Sequence, residues 1–145
     1  MLYNISEPKN DNDFNDYYYY RWLYLRKPLN KELGTEKDEL ENQSIHRMIK
    51  NKKDNIIAVA RLHHNSDDES QVRYFAIDKN YRRIGLGSFL MQHLEKISIR
   101  TKHQNMVLNA RENSVPFYES LGYVVYKKTN LLFGQIQHYK MKKAL

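Results

Sequence analysis

Cysteine is absent from the 145-residue sequence. Disulfides, thiolate metal sites and a cysteine nucleophile are therefore excluded, and the composition fits a reducing compartment. Proline and glycine are scarce, at three and five residues. No Gly/Ser-rich or Pro-rich linker breaks the chain, and no self-similarity recurs at solenoid periods. Residues 1–145 are thus expected to form a single domain, a length at which roughly 68–70% of the unfolded surface is buried and a core with a ligand cleft is feasible. No uncharged apolar run approaches the ~18 residues of a membrane helix. The stretch from Met1 to Pro8 has no basic segment followed by an apolar one, so no secretory signal is read there. The expectation is a cytoplasmic protein with no membrane partner.

Basic residues outnumber acidic ones by 24 to 17, a formal charge of +7. Such a chain attracts polyanions: nucleic acid, acidic lipid or a phosphate-rich cofactor. A solvated lysine-rich surface explains the same charge, and charge alone does not choose. Apolar residues make up 41%, as in a globular rather than a disordered chain.

Hydrophobic spacing predicts a helix over about Asp11–Arg26, with Phe14, Tyr18, Trp22 and Leu25 as its inward stripe. Asp11 and Asp13 at its start and Arg26 and Lys27 at its end suit the helix dipole, and Pro28 stops it. A polar helix or loop follows through Leu33–Glu41. The period then changes to two, giving strands at Ile45–Ile49, Asn55–His63 and Ser70–Asp78. The loop Asn80–Gly87 opens a long helix with Leu86, Leu90, Leu94 and Ile97 on one face. Met106–Ala110 is a short strand, parallel to Ser70–Asp78 through this helical crossover. A short helix is expected over about Ser114–Leu121, capped by Asn113 or Ser114, with Pro116 in its first turn and Gly122 in the left-handed position that ends it. Tyr123–Leu132 and Gln137–Lys143 read as a hairpin around Phe133-Gly134-Gln135. The order of elements implies an α/β or α+β class with a mixed sheet.

The informative segment runs strand, loop, glycine pair, helix, from Tyr74 to Ser88. A helix start carries unpaired N–H groups and partial positive charge, and so binds anions. Gly85 and Gly87 allow backbone to approach a bulky phosphate, and Arg82 and Arg83 add charge-assisted contacts. These features support a diphosphate ligand. The Walker lysine is missing, and Leu90 replaces the third glycine of a dinucleotide fingerprint. A tight turn with surface arginines is the plainer explanation of the same residues.

Arg82-x-x-Gly85-x-Gly87, after an apolar strand and before Ser88 and a helix, resembles the acetyl-CoA signature of the GNAT N-acetyltransferase family. The segment Asn109–Tyr123, with Asn113, Phe117, Tyr118 and Gly122, is similar to a second region of that family, and the two stand in the family's order and spacing. Ile84 departs from the pattern where a polar or basic residue is common, and Pro116 where alanine is usual. The resemblance implies a mixed, mostly antiparallel sheet of six to seven strands with helices on both faces. It implies acetyl-CoA as cosubstrate, without a metal. The pantetheine arm would run along Phe75, Ala76 and Ile77. The diphosphate would sit on amides of Arg83, Ile84, Gly85, Leu86, Gly87 and Ser88, with Arg82 nearby. Asn113 would contact the CoA arm, and Tyr118 would be the general acid for the leaving thiolate, a phenol protonated at neutral pH. The acetyl group would pass directly to an amine of a small-molecule or protein acceptor.

No general base is identified. Gln71 stands where relatives that acetylate histones carry a glutamate, and Glu69 is the nearest carboxylate. Glu36, Asp38, Glu39 and Glu41 would line the acceptor side, although such a run reads more simply as a solvated helix face. His138 is a distant candidate for the acceptor side, and His63-His64 lacks metal-ligand spacing because adjacent strand residues point apart. Two other functions are compatible: a non-catalytic acyl-CoA sensor, and a nucleic-acid-binding module using Tyr17–Trp22. The helical stripe explains Tyr18 and Trp22 as core, so a nucleic-acid partner is the least favoured. A homodimer is compatible with the sequence.

Overall fold

The computed structural model describes residues 3–129 and 131–145. The elements run β1 (Ile5–Ser6), α1 (Asp11–Leu25), β2 (Ile45–Lys50), β3 (Ile56–His64), β4 (Glu69–Ile77), α2 (Leu86–Arg100), β5 (Asn105–Arg111), α3 (Val115–Ser120), β6 (Val124–Lys128) and β7 (His138–Ala144). The class is mixed α/β, with a seven-stranded sheet of order β1-β2-β3-β4-β5-β7-β6. The described residues fall into two compact units, one holding the chain up to His63 together with Tyr74–Gln92, the other His64–Arg73 and His93–Leu145.

In the first unit β1 pairs with β2 and β2 with β3, all antiparallel. Asn10 caps α1 by accepting from the Asp13 amide at 2.9 Å. The buried face of α1 differs from the expected stripe. Tyr17, Tyr20 and Arg21 are its buried residues, while Phe14, Tyr18, Trp22 and Leu25 are half-buried at its flanks. Tyrosine replaces aliphatic residues here because its hydroxyl reaches the strand backbone. Tyr17 donates to the Ala60 carbonyl at 3.1 Å and Tyr20 to that of Ile57 at 2.8 Å, so burial leaves neither hydroxyl unpaired. Met48, Val59 and Ala76 complete this core. No α-helix forms over Leu33–Glu41, which is a run of turns ending in a 3₁₀ turn at Glu41–Gln43.

In the second unit β4 pairs parallel to β5 over Glu69–Val72. β5 pairs antiparallel to β7, and β7 to β6. The expected parallel crossover is present, and the C-terminal hairpin turns where expected, through a Leu132↔Ile136 bridge. Its first strand is shorter than expected and ends at Lys128; Asn130, within the expected span, lies outside the described residues. Leu94, Met106, Leu108, Ala110, Tyr123 and Met141 are buried. Tyr123 donates to Glu95 at 2.7 Å, and Lys143 pairs with the same carboxylate at 3.1 Å.

Candidate functional site

The strand-to-helix loop is held from below. The Asp78 amide donates to the Ile57 carbonyl at 2.8 Å, and the Asp78 carboxylate accepts from the Asn80 amide. Burial and this same carboxylate push the Tyr24 hydroxyl up to about 12. Arg82 Nε donates to the Ile77 carbonyl at 3.2 Å, which ties the start of the loop to the end of β4. The chain then turns through left-handed conformations, with φ of 64° at Arg83 and 89° at Gly85. Gly85 needs to be glycine for that reason. Its carbonyl accepts from the Phe89 amide at 3.0 Å, which starts α2, so the amides of Leu86, Gly87 and Ser88 are the ones helix geometry leaves without a carbonyl one turn back. Leu86 is buried and anchors the tip, whereas Arg82, Arg83 and Ile84 are exposed. The first unit thus gathers Arg82 through Ser88 at one helix start. Ala76 is buried, and Phe75 and Ile77 are half-buried on the strand that feeds it.

Asn113 and Tyr118 belong to the second unit. Asn113 is exposed in the 3₁₀ turn Glu112–Ser114, and no side-chain cap bonds the start of α3; neither of the two expected caps is formed. Gly122 does take the left-handed conformation that ends α3, with φ of 98°. Tyr118 is only 7% exposed, with its ring edge-on to Phe117 and Tyr123. Burial pushes its hydroxyl well above the ordinary tyrosine value, opposed by the charge of Arg111. Glu69 and Gln71 share one donor, Asn65 Nδ2, at 2.8 and 2.9 Å. His138 Nδ1 lies 3.1 Å from the Ile136 carbonyl. His63 is buried and His64 exposed, as their alternation requires.

The sequence reading missed a buried ionic cluster in the first unit. Arg21 and Arg61 are fully buried. Arg21 Nη1 donates to Glu41 Oε1 at 3.0 Å, and Arg61 Nη1 to Glu41 Oε2 at 2.9 Å. Asp38 takes both terminal nitrogens of Arg61 in a forked pair. Arg21 also donates to the Glu36 carbonyl and the Tyr17 hydroxyl. The Tyr74 ring faces both guanidinium groups, 4.1 Å from Arg21 and 5.0 Å from Arg61. Tyr74 holds a φ of 55°, an unusual value for a bulky residue. Two carboxylates thus bridge two cations, and the expectation of a solvated acidic face is overturned for Glu36, Asp38 and Glu41, while Glu39 is exposed. The signal was present in β3, where Arg61 alternates in phase with Ile57 and Val59.

His46 closes the cluster, with Nε2 2.8 Å from the Glu41 carbonyl and Nδ1 3.0 Å from the Tyr17 hydroxyl. Burial holds its pKa below the ordinary 6.5, with the Arg21 and Arg61 charges acting in the same direction. The unfolded chain therefore takes up a proton that the folded chain refuses. Stability is full above pH 6.5 and declines as pH falls below it towards the folded value. Denaturant midpoints measured from pH 7.5 to 5 are expected to show this decline, and His46→Gln to flatten it. An unchanged slope in that variant would remove His46 as its source.

Among the described residues no helix is long and apolar enough to cross a membrane, and no cluster of three or more histidine or acidic side chains is placed to hold a metal. The family profile described as the acetyltransferase (GNAT) domain matches residues 28–145. The uncharacterized N-acetyltransferase YjcF of Bacillus subtilis strain 168 is 30% identical over 135 residues, covering 93% of this chain and 95% of that protein. Solved structures share the fold. A Lactobacillus plantarum protein described as an N-acetyltransferase superposes with a TM-score of 0.86 at 19% identity, covering 100% of this chain and 99% of its own. An Elizabethkingia anophelis acetyltransferase of the GNAT family, with acetyl-CoA bound, gives 0.75 at 10% identity, with coverages of 99% and 98%.

Proposed function

This chain belongs to the acetyltransferase (GNAT) family and is by that membership an N-acetyltransferase; from this premise we propose that it binds acetyl-CoA at Arg82–Ser88 and directs the acetyl group to an amine acceptor. The observation that carries the reading is the tip of α2, where a left-handed Gly85 precedes the amides of Leu86, Gly87 and Ser88, which have no helix carbonyl one turn back, beside the exposed Arg82 and Arg83. Those groups fit a diphosphate: backbone donors, a helix dipole and two guanidinium groups act on one anion. Acetyl-CoA supplies an acetyl thioester and, on transfer, a thiolate that needs a proton. Phe75, Ala76 and Ile77 orient the arm leading from the diphosphate.

Tyr118 holds the proton. A buried phenol stays protonated throughout the working pH range but is a weaker acid for it, so it passes its proton to the leaving thiolate in step with the release of the amine's proton, which restores the phenol. With no cysteine in the chain, direct transfer to the amine is the simplest route. The acceptor is an amine on a small molecule or a protein, and the lack of cysteine suits a cytoplasmic place of action.

Titration calorimetry with acetyl-CoA, followed by thiol release in the presence of a panel of amines, tests the reading. Binding with turnover supports it; binding without thiol release from any amine would turn it into an acyl-CoA sensor. Tyr118→Phe is expected to lower kcat by about a hundredfold or more, the range of a lost general acid, while the calorimetric affinity for acetyl-CoA stays put. Normal kcat would remove the acid role and leave the binding site standing.

A further inference from the structure

Pairing registers in the second unit fix which side chains share a face of its strands. Met106 and Lys143 lie on one side. There Ser98 of α2 donates to the Met106 sulfur at 3.6 Å, and Lys143 reaches Glu95 of α2, so α2 covers that side. The opposite side carries the rows Val107–Lys142–Val124 and Asn109–Lys140–Lys127, with Arg111 beside His138. Gln71, paired with Val107, and Glu69, paired with Asn105, extend the same face. Asn109, Lys127 and Lys142 are exposed, and Lys140 is half-buried.

Three features of this face point outward. Lys127 lies directly opposite Lys140 across the strand pair, an arrangement that costs stability unless an anion joins them. Neither lysine, nor Lys142, forms an ion pair among the described residues. A register shift between Val125 and Lys127 throws out Tyr126, which is 55% exposed. It is the chain neighbour of Lys127, and burial and then the carboxylate of Glu69 raise its hydroxyl.

Cations at this spacing match a chain of phosphates. Lys140 and Lys142 stand about 6.6–6.8 Å apart along the strand, with Lys127 about 4.8 Å to the side. An acidic peptide would satisfy the lysines but would leave the exposed ring and the amide of Asn109 without a role. Bases use both, since rings stack on them and amides bond their edges, and the exposed part of a sheet face is a platform on which single-stranded bases lie flat. A duplex is disfavoured because this face offers no helix or ribbon to enter a groove. We propose that this face binds a single-stranded nucleic acid, with phosphates against Lys127, Lys140 and Lys142 and a base stacked on Tyr126. The proposal does not depend on the acyl-transfer chemistry above.

Fluorescence anisotropy on the full chain with a labelled uridine oligomer, and with its deoxy counterpart, tests this. Binding of either supports the proposal, and their ratio reports which sugar is preferred. The affinity should fall with salt at a logarithmic slope of about −2, as for three neutralised phosphates on a single strand. The double reversal Lys140→Glu with Lys142→Glu should weaken binding at least about tenfold. The same charge change made at the exposed Lys52 and Lys53 should leave it nearly unaltered. Tyr126→Ala should cost about fivefold or more, and excess CoA should not displace the oligomer. Should the first double reversal fail to fold, Lys127→Glu, at an exposed position, takes its place. Equal losses in the two double reversals would reduce the effect to net charge, and displacement by CoA would move the oligomer to Arg82 and Arg83. A labelled polyglutamate bound as tightly, with no response to Tyr126→Ala, would make the partner an acidic peptide. Each of these three results overturns the proposal.

Discussion

The Gly87→Trp variant is expected to fold normally and to lose acetyl-CoA binding, with the dissociation constant rising at least about a thousandfold. The two glycines of the loop have different duties. Gly85 sits at φ 89°, where a side chain strains the backbone, while Gly87 is not among the glycines with positive φ. It lies in the first turn of α2, where any residue is tolerated conformationally. An indole at this position therefore acts on the ligand and not on the helix. It covers the amides at the tip, each of which contributes about 1.5–3 kcal/mol when bonded to a charged group. Loss of three such bonds is more than about 4 kcal/mol, or about three decades of affinity. Calorimetry measures the affinity, and a thermal melt of the free variant measures the fold. Unchanged affinity in a folded variant would move the diphosphate away from this loop.

Glu41→Ala is expected to destabilise the chain by about 3–5 kcal/mol, because it leaves two buried guanidinium groups with one carboxylate between them. A typical domain has about 5–15 kcal/mol in total, so this one change consumes a large part of the margin. The exposed neighbour Glu39 serves as the control, and its alanine variant should move stability by no more than about 0.5 kcal/mol. Replacing Arg21, Asp38, Glu41 and Arg61 together by apolar residues of similar volume should cost less than Glu41→Ala alone, since the ion pairs are then removed with both partners. Urea midpoints give the comparison. If Glu41→Ala and Glu39→Ala behaved alike, the cluster would contribute little to stability.

The architecture was legible because its signals are local. The period of two in Asn55–His63, the glycine at the end of α3 and the Phe133-Gly134-Gln135 turn each depend on a few neighbouring residues. The tip of α2 was legible for the same reason, since Gly85, Gly87 and the two arginines stand together in the chain. What the sequence hid depends on partners far along it. Glu41 looks like one acid in a polar run until Arg21, twenty residues earlier, and Arg61, twenty residues later, are seen on either side of it. The inward face of α1 was misjudged because hydropathy counts tyrosine as half-polar. A tyrosine whose hydroxyl finds a strand carbonyl is as fully buried as leucine, and Tyr17 is the example. Tyr126 likewise escaped notice, because alternation does not foresee a one-residue bulge.

The strand order carries a consequence for biosynthesis. β7 lies between β5 and β6, although a ribosome makes it after both. When Val124–Lys128 leaves the exit tunnel, its hydrogen-bonding neighbour among the described strands, His138–Ala144, is already made but still enclosed in the tunnel. The edge of β5 stays open for the same interval. Until the last strand emerges and slots in, two unpaired borders stay open, and that interval is when a chaperone has the most to cover.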